Sequence, residues 1–462
     1  MRAVKLVVIG GDAAGMSAAS QARKRMGPGE LEIVAFERGR FTSYSACGIP
    51  YWIGGVVEGL DPLIARTPEA LREAGIDVRT RHEVVAIDLR RREVTARDLD
   101  GGGELREGFD QLMYAAGAVP VTPDWARVDA GGVFGVQTLD DGAAVQDWLG
   151  REPAPRRAVV IGGGYIGVEM AEAMVRRGLE VTLLERSPQP MSTVDEDMGE
   201  RVGEAIRGLG IEVRTRTPVR GLETANGRVS AVVTPDGTLP ADIVVLGLGV
   251  RPNTALAAES GIPLGVTGGL RTDLRMRVVG PDGHVDGLWA AGDCVQTVHR
   301  VSGRPVHIPL GTHANKQGRV AGINIGGGYA TFPGVIGTAV TKVCDLEVAR
   351  TGLTESEAAQ AGFEYVTASV ESTNRAGYYP GAVPMVIKLI AERRTGILLG
   401  AQIVGREEAA KRVDALAIAV WNRMPVEEMT ALDLSYAPPF SPVWDPVLIA
   451  ARKATEAVHA AG

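Results

Sequence analysis

The chain has 462 residues, 45% of them hydrophobic, with 60 glycines and only 5% aromatics. That length exceeds a single hydrophobic core and suits two or three domains, and the composition excludes a disordered or fibrous chain. A formal charge of −7 without a basic block argues against nucleic acid and against an anionic membrane surface as partners.

The three cysteines, Cys47, Cys294 and Cys344, are too scattered for a disulfide framework or a CxxC metal site. No apolar run reaches membrane-spanning length, and MRAVKLVVIGG runs straight into a strand without a signal-peptide pattern. A metal-free protein of the reducing cytoplasm is expected.

The first element, KLVVIGGDAAGMSAASQARKR from Lys5, is an apolar strand, a Gly-rich turn and a helix-like run. Gly10, Asp12 and Gly15 occupy the three fingerprint positions of a dinucleotide turn, so the middle glycine is replaced by an acid. The next strand, IVAFE, delivers Glu37 22 residues after Gly15, where an acid that binds a ribose belongs. FTSYSACGIPYWIGG follows at residues 41 to 55. Pro50 is tolerated in a first helical turn but not in an interior. Cys47 is therefore expected at or just before a helix N-terminus, capped by Thr42, Ser43 or Ser45, with the dipole and free amides stabilising its thiolate. The competing reading is a buried structural thiol.

REPAPRR at 151–157 reads as the exposed linker into a second dinucleotide-binding unit, and RAVVIGGGYIGVEMAEAMVRRG from Arg157 repeats the first pattern. Here Gly162, Gly164 and Gly167 complete G-x-G-x-x-G, and VTLLE ends in Glu185 18 residues later. The glycines let a pyrophosphate approach a helix N-terminus while the acid takes the ribose hydroxyls. Two copies imply two dinucleotides. Glu185 suits the ribose diol of NADH, although Arg186 and Ser187 can accept a 2′-phosphate, so some NADPH use is expected. Downstream lie DIVVLGLGVRPN at 242–253, GLWAAGDCV at 287–295, HANKQGR at 313–319 and the boundary GGGYATFPG at 326–334. TAVTKVCDLEVA is a strand-like run holding Cys344. NRAGYYPGAVP holds Tyr378 and Tyr379, and DLSYAPPFSPVWDP holds Tyr436.

With YAAG at 114–117 and AGDC at 291–294, the whole chain resembles the two-dinucleotide-domain flavoprotein disulfide reductases. The resemblance implies an α/β fold of two Rossmann-like dinucleotide-binding domains, for FAD and NAD, plus a C-terminal α+β dimerisation domain. The FAD domain is expected at 1–117 and 251–330, the NAD(P)H domain at 118–250 and the dimerisation domain at 331–462. It further implies that Asp293 reaches the flavin side chain and that the helix following HANKQGR covers the isoalloxazine. Expected cofactor-binding residues are Gly10, Asp12, Ala13, Ala14, Gly15, Glu37, Arg38, Ser43, Ala116, Gly117, Gly162, Gly164, Tyr165, Ile166, Gly167, Glu185, Arg186, Gly249, Asp293 and Lys316.

Most of that superfamily carries two redox cysteines four residues apart, whereas Ser43 and Cys47 stand at that spacing here. One cysteine can accept two electrons as a sulfenic acid or as a mixed disulfide with a small thiol. Peroxidase-type relatives carry a His where this chain has Ala13, and dithiol reductases use a C-terminal-domain His, absent between Thr331 and Val458. SxxxCGIPY, YYPG and YAPPFSP together resemble coenzyme A disulfide reductases. In those enzymes Tyr378 and Tyr436 would come from the partner subunit of a homodimer and face Cys47. The implied cycle passes electrons from the nicotinamide through FAD to a Cys47–CoA mixed disulfide, with Tyr436 protonating the leaving sulfur. Relatives often have Asn just before the Cys, and Ala46 stands there. CoA-persulfide or polysulfide reductase, NADH oxidase and a non-enzymatic flavin redox sensor or structural dimer are the alternatives. Many sulfur-handling relatives add a rhodanese domain, and the chain is expected to stop before one.

Overall fold

A computed structural model describes residues 2–461. Two sheets are built on one plan, and a third closes the C-terminal part. In the first, the strands Val4–Ile9, Leu31–Glu37 and Asp77–Thr80 run parallel, with Gln111–Tyr114 and Gly283–Ala290 on the other side of Val4–Ile9. In the second, Arg157–Ile161 lies between Glu180–Leu184 and Ile243–Leu246, all parallel, with Glu212–Arg214 and Val133–Gly135 at the edges. Near-continuous apolar runs such as LVVI and AVVI suit strands buried on both faces. Each sheet carries its own antiparallel three-stranded meander, at 82–108 in the first and 221–240 in the second. The internal repeat thus extends well beyond the two glycine turns. The chain crosses between units by pairing Ala118–Pro120 with Val250–Pro252.

REPAPRR is exposed but lies within the second unit, joining the helix Leu139–Leu149 to the strand Arg157–Ile161. Val133–Gly135 precedes it and is already an edge of the second sheet, so the segment is an internal crossover and not an entry linker.

The third sheet is antiparallel, in the order Ala339–Val343, Leu346–Gly352, Leu398–Gly405, Pro384–Glu392, Tyr365–Thr373. TAVTKVCDLEVA is a hairpin and not one strand. Cys344 sits at φ 58° in the tight turn, where a strand cannot continue. This sheet grips the loop that enters the second unit's helix Glu196–Gly208. Arg350 donates to the Thr193 carbonyl at 2.7 Å, and Gln402 both accepts from the Asp195 amide at 2.8 Å and donates to its carboxylate at 2.6 Å. Lys388, almost fully buried, reaches Asp195 at 3.2 Å, Asp197 at 2.8 Å and Glu355 at 2.5 Å. A buried ammonium is tolerable only with such partners. No helix among the described residues is long and apolar enough to cross a membrane.

Candidate active site between two dinucleotide turns

Parallel register builds each turn. Ile9 pairs with Phe36 and Ile161 with Leu184, so the glycine turn that follows one strand lies beside the acid that ends its neighbour. Glu37 accepts from the Gly11 amide at 2.7 Å and the Gly39 amide at 2.6 Å, and Glu185 accepts from Gly163 at 2.6 Å and Ser187 at 2.7 Å. Burial pushes the Glu37 carboxyl up, and the two amides oppose it. Gly10 and Gly162 have φ of 105° and 101°, and a Cβ on either would strike a carbonyl oxygen at 2.2 Å or 2.4 Å. Gly164 has open space around its missing side chain.

Both helices that leave the turns, Ala13–Arg25 and Tyr165–Arg176, lack a side-chain cap, so their first amides are free for a phosphate. Free amides, a turn too tight for a Cβ and a clasping acid fit a dinucleotide in each unit. In the first unit the helix Gly311–Ile325 packs against Ala13–Arg25 so closely that Cβ atoms at Gly318 and Gly322 would meet the Ala14 and Ala18 carbonyl oxygens at 2.3 and 2.2 Å. HANKQGR forms the first turns of that helix and does not precede it. Its buried Gln317 accepts from the Gly292 amide at 2.8 Å, fixing the turn that carries Asp293. Burial raises the Asp293 carboxyl, which the nearby His307 tempers. Lys316 and Arg38 are exposed, and Arg186 is exposed beside Glu185. Gly117 and Gly249, at φ 68° and 81°, flank the crossing strands, where Ala116 accepts from the Asn253 amide side chain at 3.2 Å.

Cys47 lies in a single 3-10 turn, Ala46–Gly48, immediately before the short helix Ile49–Ile53. The position is the expected one, and the expected capping is corrected. Neither segment has a side-chain cap, Thr42 instead donates to the Arg66 carbonyl at 3.1 Å, and Ser43 is held at φ 47°. The expected amide stabilisation of the thiolate is present at the Cys47 backbone N–H but is outweighed. Burial of the sulfur pushes the Cys47 thiol up although the residue is exposed overall, and the charges of Glu169, Asp293 and Asp12 push it further. A five-residue helix carries too small a dipole to compensate. Those charges also locate the sulfur, because Asp12 and Asp293 belong to the first unit and Glu169 to the helix of the second. Ile49 and Ile53 are fully buried against the second unit, and a Cβ at Gly54 would meet Ala173 at 3.2 Å. The thiol stands where the two units converge.

The family model described as pyridine nucleotide-disulphide oxidoreductase matches residues 4–318, and that family's dimerisation domain matches residues 338–446. The chain belongs to the pyridine nucleotide-disulphide oxidoreductases. It is 38% identical over 461 residues to the NAD(P)H sulfur oxidoreductase (CoA-dependent) of Pyrococcus abyssi, covering 98% of this chain and 99% of the relative. It is similar to the solved NAD-dependent persulfide reductase of A. fulgidus, with TM-score 0.93, 38% identity and coverage of 98% of this chain and 83% of that one. It is also similar to reduced Bacillus anthracis CoADR-RHD, with TM-score 0.94, 34% identity and coverage of 100% and 81%.

As a member of this family the chain is an FAD- and NAD(P)H-dependent enzyme, and its remaining thiols are poorly suited to exchange. Cys294 is fully buried and Cys344 half-buried, and burial pushes each up to about 12. In the dimerisation domain Tyr378 and Tyr436 are exposed neighbours, at 78% and 48%. Partial desolvation and the Tyr436 hydroxyl hold the Tyr378 phenol up. Phe440, Val443 and Trp444 are exposed beside Tyr436 in sequence, an apolar run of the kind a partner subunit covers. Three residues at the site escaped the sequence reading. Glu169 follows Tyr165 by one helical turn in YIGVE, a spacing that puts both on one face. Gln317 sits next to Lys316 in HANKQGR. Tyr51 is pushed up by burial and by Glu169, which places its hydroxyl in the same electrostatic neighbourhood as Cys47.

Proposed function

We propose that this enzyme reduces coenzyme A disulfide with NAD(P)H through a Cys47–CoA mixed disulfide. The observation that carries the reading is one thiol at the junction of two dinucleotide units, with Ser43 where a second redox cysteine would stand. The glycine turn at 10–15, Glu37 and Asp293 would hold FAD, and the turn at 162–167 with Glu185 would hold the nicotinamide dinucleotide. When bound, FAD supplies the two-electron relay from nicotinamide to sulfur. The Cys47 thiolate attacks one sulfur of the CoA disulfide, that S–S bond breaks, and the departing CoA thiolate takes a proton from Tyr436. Cys47 receives the electron pair as its own bond to CoA sulfur breaks, regenerating its thiolate and releasing the second CoA. NAD(P)H, one proton and the disulfide become NAD(P)+ and two CoA thiols.

The relatives named for sulfur and persulfide favour a second reading, in which Cys47 attacks a CoA persulfide or a polysulfide. The same thiol serves, and the leaving group is hydrosulfide in place of CoA thiolate. A working free thiol fits a reducing cytoplasm. The exposed Tyr378–Tyr436 pair supports a shared site, with both phenols facing Cys47 of the partner subunit. Mass spectrometry of the purified protein tests the function: a CoA-sized adduct on Cys47 that disappears on adding NADH is expected. A stable sulfenic acid with no CoA adduct would point instead to an oxidase. For the shared site, an inactive Cys47→Ser chain is combined with an inactive Tyr378→Phe/Tyr436→Phe chain. Heterodimers are expected to regain activity, and no recovery in proven heterodimers refutes the sharing.

A further inference from the structure

The two repeats share one backbone device, and only the first adds a side chain to it. In each copy, the residue six places after the clasping acid has positive φ and gives its amide to the central glycine turn. Ser43, at φ 47°, donates to the Gly11 carbonyl at 3.1 Å, and Met191, at φ 55°, donates to the Gly163 carbonyl at 2.7 Å. The copies diverge at the next residue. Asp12 Oδ1 accepts from the Tyr44 amide at 3.1 Å, while the equivalent residue, Gly164, has no side chain to offer.

Asp12 is out of place by two physical criteria. Its backbone is the N-cap of the helix Ala13–Arg25, where an Asp normally accepts from the second or third amide of the first turn, yet it makes no such capping bond and touches only the Ala13 amide on the helix side. It also adds a carboxyl to a glycine turn of the kind that receives an anionic pyrophosphate, where it feels the carboxyls of Glu37 and Asp293 and the Tyr44 phenol. Turning the side chain toward Tyr44 leaves the helix amides beyond Ala13 uncapped and ties the turn to the loop that leads, three residues on, to Cys47. The other side of that loop is fixed separately: Ala65 donates to the Ser43 carbonyl and Ser45 to the Leu63 carbonyl, both at 2.8 Å.

We infer that Asp12 is a positioning residue for Cys47, holding the Tyr44–Cys47 segment against the flavin-side glycine turn through the Tyr44 amide. The inference rests on Cys47 being the working thiol, which the adduct experiment tests independently. Burial raises the Asp12 carboxyl to about 6, so at neutral pH it is the stronger, ionised acceptor.

The test compares Asp12→Asn, which keeps the acceptor and removes the charge, with Asp12→Ala and Asp12→Gly, which remove both. FAD content, NADH turnover and amide hydrogen exchange of the peptide holding Tyr44 are measured for each, the last also without FAD. Asp12→Asn is expected to stay within about threefold of wild type in turnover and to keep Tyr44 protected, as a neutral hydrogen bond replaces a charge-assisted one. Asp12→Ala and Asp12→Gly are expected to retain FAD but to lose turnover about tenfold or more and to exchange the Tyr44 amide faster, because small misplacements of a reacting atom are costly. Equal exchange at Tyr44 in all four proteins would overturn the inference, whatever turnover does. So would equal turnover in Asn and Ala variants, which would show that the acceptor for the Tyr44 amide is dispensable. Should the Gly variant fail to fold, the Asn and Ala pair, which leaves the backbone at 12 unchanged in freedom, decides.

Discussion

Gly167→Ala reverses the sign that helix propensity alone dictates. Gly167 lies inside the helix Tyr165–Arg176, where replacing Gly by Ala is ordinarily stabilising by about 1 kcal/mol. Here the new Cβ lands 1.8 Å from the Gly162 carbonyl oxygen. A relaxed C···O contact is about 3.3 Å, so the turn or the helix start must shift by about 1.5 Å. Because the obstacle is backbone and not a flexible side-chain tip, the overpacking cost sits near the upper end of the usual range, about 3 kcal/mol. The net expectation is a loss of about 2 kcal/mol after the propensity gain. The function affected should be nicotinamide use: KM for NADH rises about tenfold or more while FAD stays bound, since a shifted turn no longer matches the pyrophosphate. Gly15→Ala makes the same clash in the other copy, at 2.0 Å from the Gly10 oxygen, and should lose FAD instead. Urea unfolding, flavin absorbance and NADH kinetics read all three quantities. A Gly167→Ala protein that is more stable than wild type with unchanged NADH kinetics would refute the close-approach argument.

Glu185, whose buried carboxylate clasps Gly163 and Ser187, should make NADH the better donor, and a kcat/KM favouring NADPH would overturn this. Cys47→Ser should abolish disulfide reduction with FAD still bound, whereas Cys344→Ala and Cys294→Ala should leave it; a folded Cys344→Ala protein without activity would reveal a second redox thiol. Glu169→Gln should move the pH midpoint of Cys47 alkylation downward. The Glu169 charge disfavours the thiolate, so removing it favours ionisation, and an unmoved or raised midpoint would show that the two groups do not interact.

The strand, turn, helix and acid order that defines both dinucleotide sites was legible in the sequence because each is a local rule: glycines where φ or close approach demands them, and an acid one strand away in register. Cys47 and the C-terminal tyrosine motifs were equally legible as residue types at fixed spacing. The reach of REPAPRR was misread because a strand of three residues at its N-terminal side, Val133–Gly135, leaves too short a periodic signal to be seen before the sheet is assembled. TAVTKVCDLEVA read as one strand because Cys and Asp in a two-residue turn lack the Gly that usually marks one.

What only the tertiary structure decided is the chemistry around the sulfur. A short helix after Cys47 suggested a lowered thiol, but the ionisation is set by burial and by Glu169, which arrives from another unit 122 positions along the chain. The choice of the Asp12 side chain to accept from the Tyr44 amide and not to cap its own helix is likewise a consequence of which loop packs on the turn. Local backbone preferences act over a few residues and leave their mark in sequence spacing. Desolvation and Coulomb terms depend on atoms brought close by folding, at sequence separations that no spacing rule records.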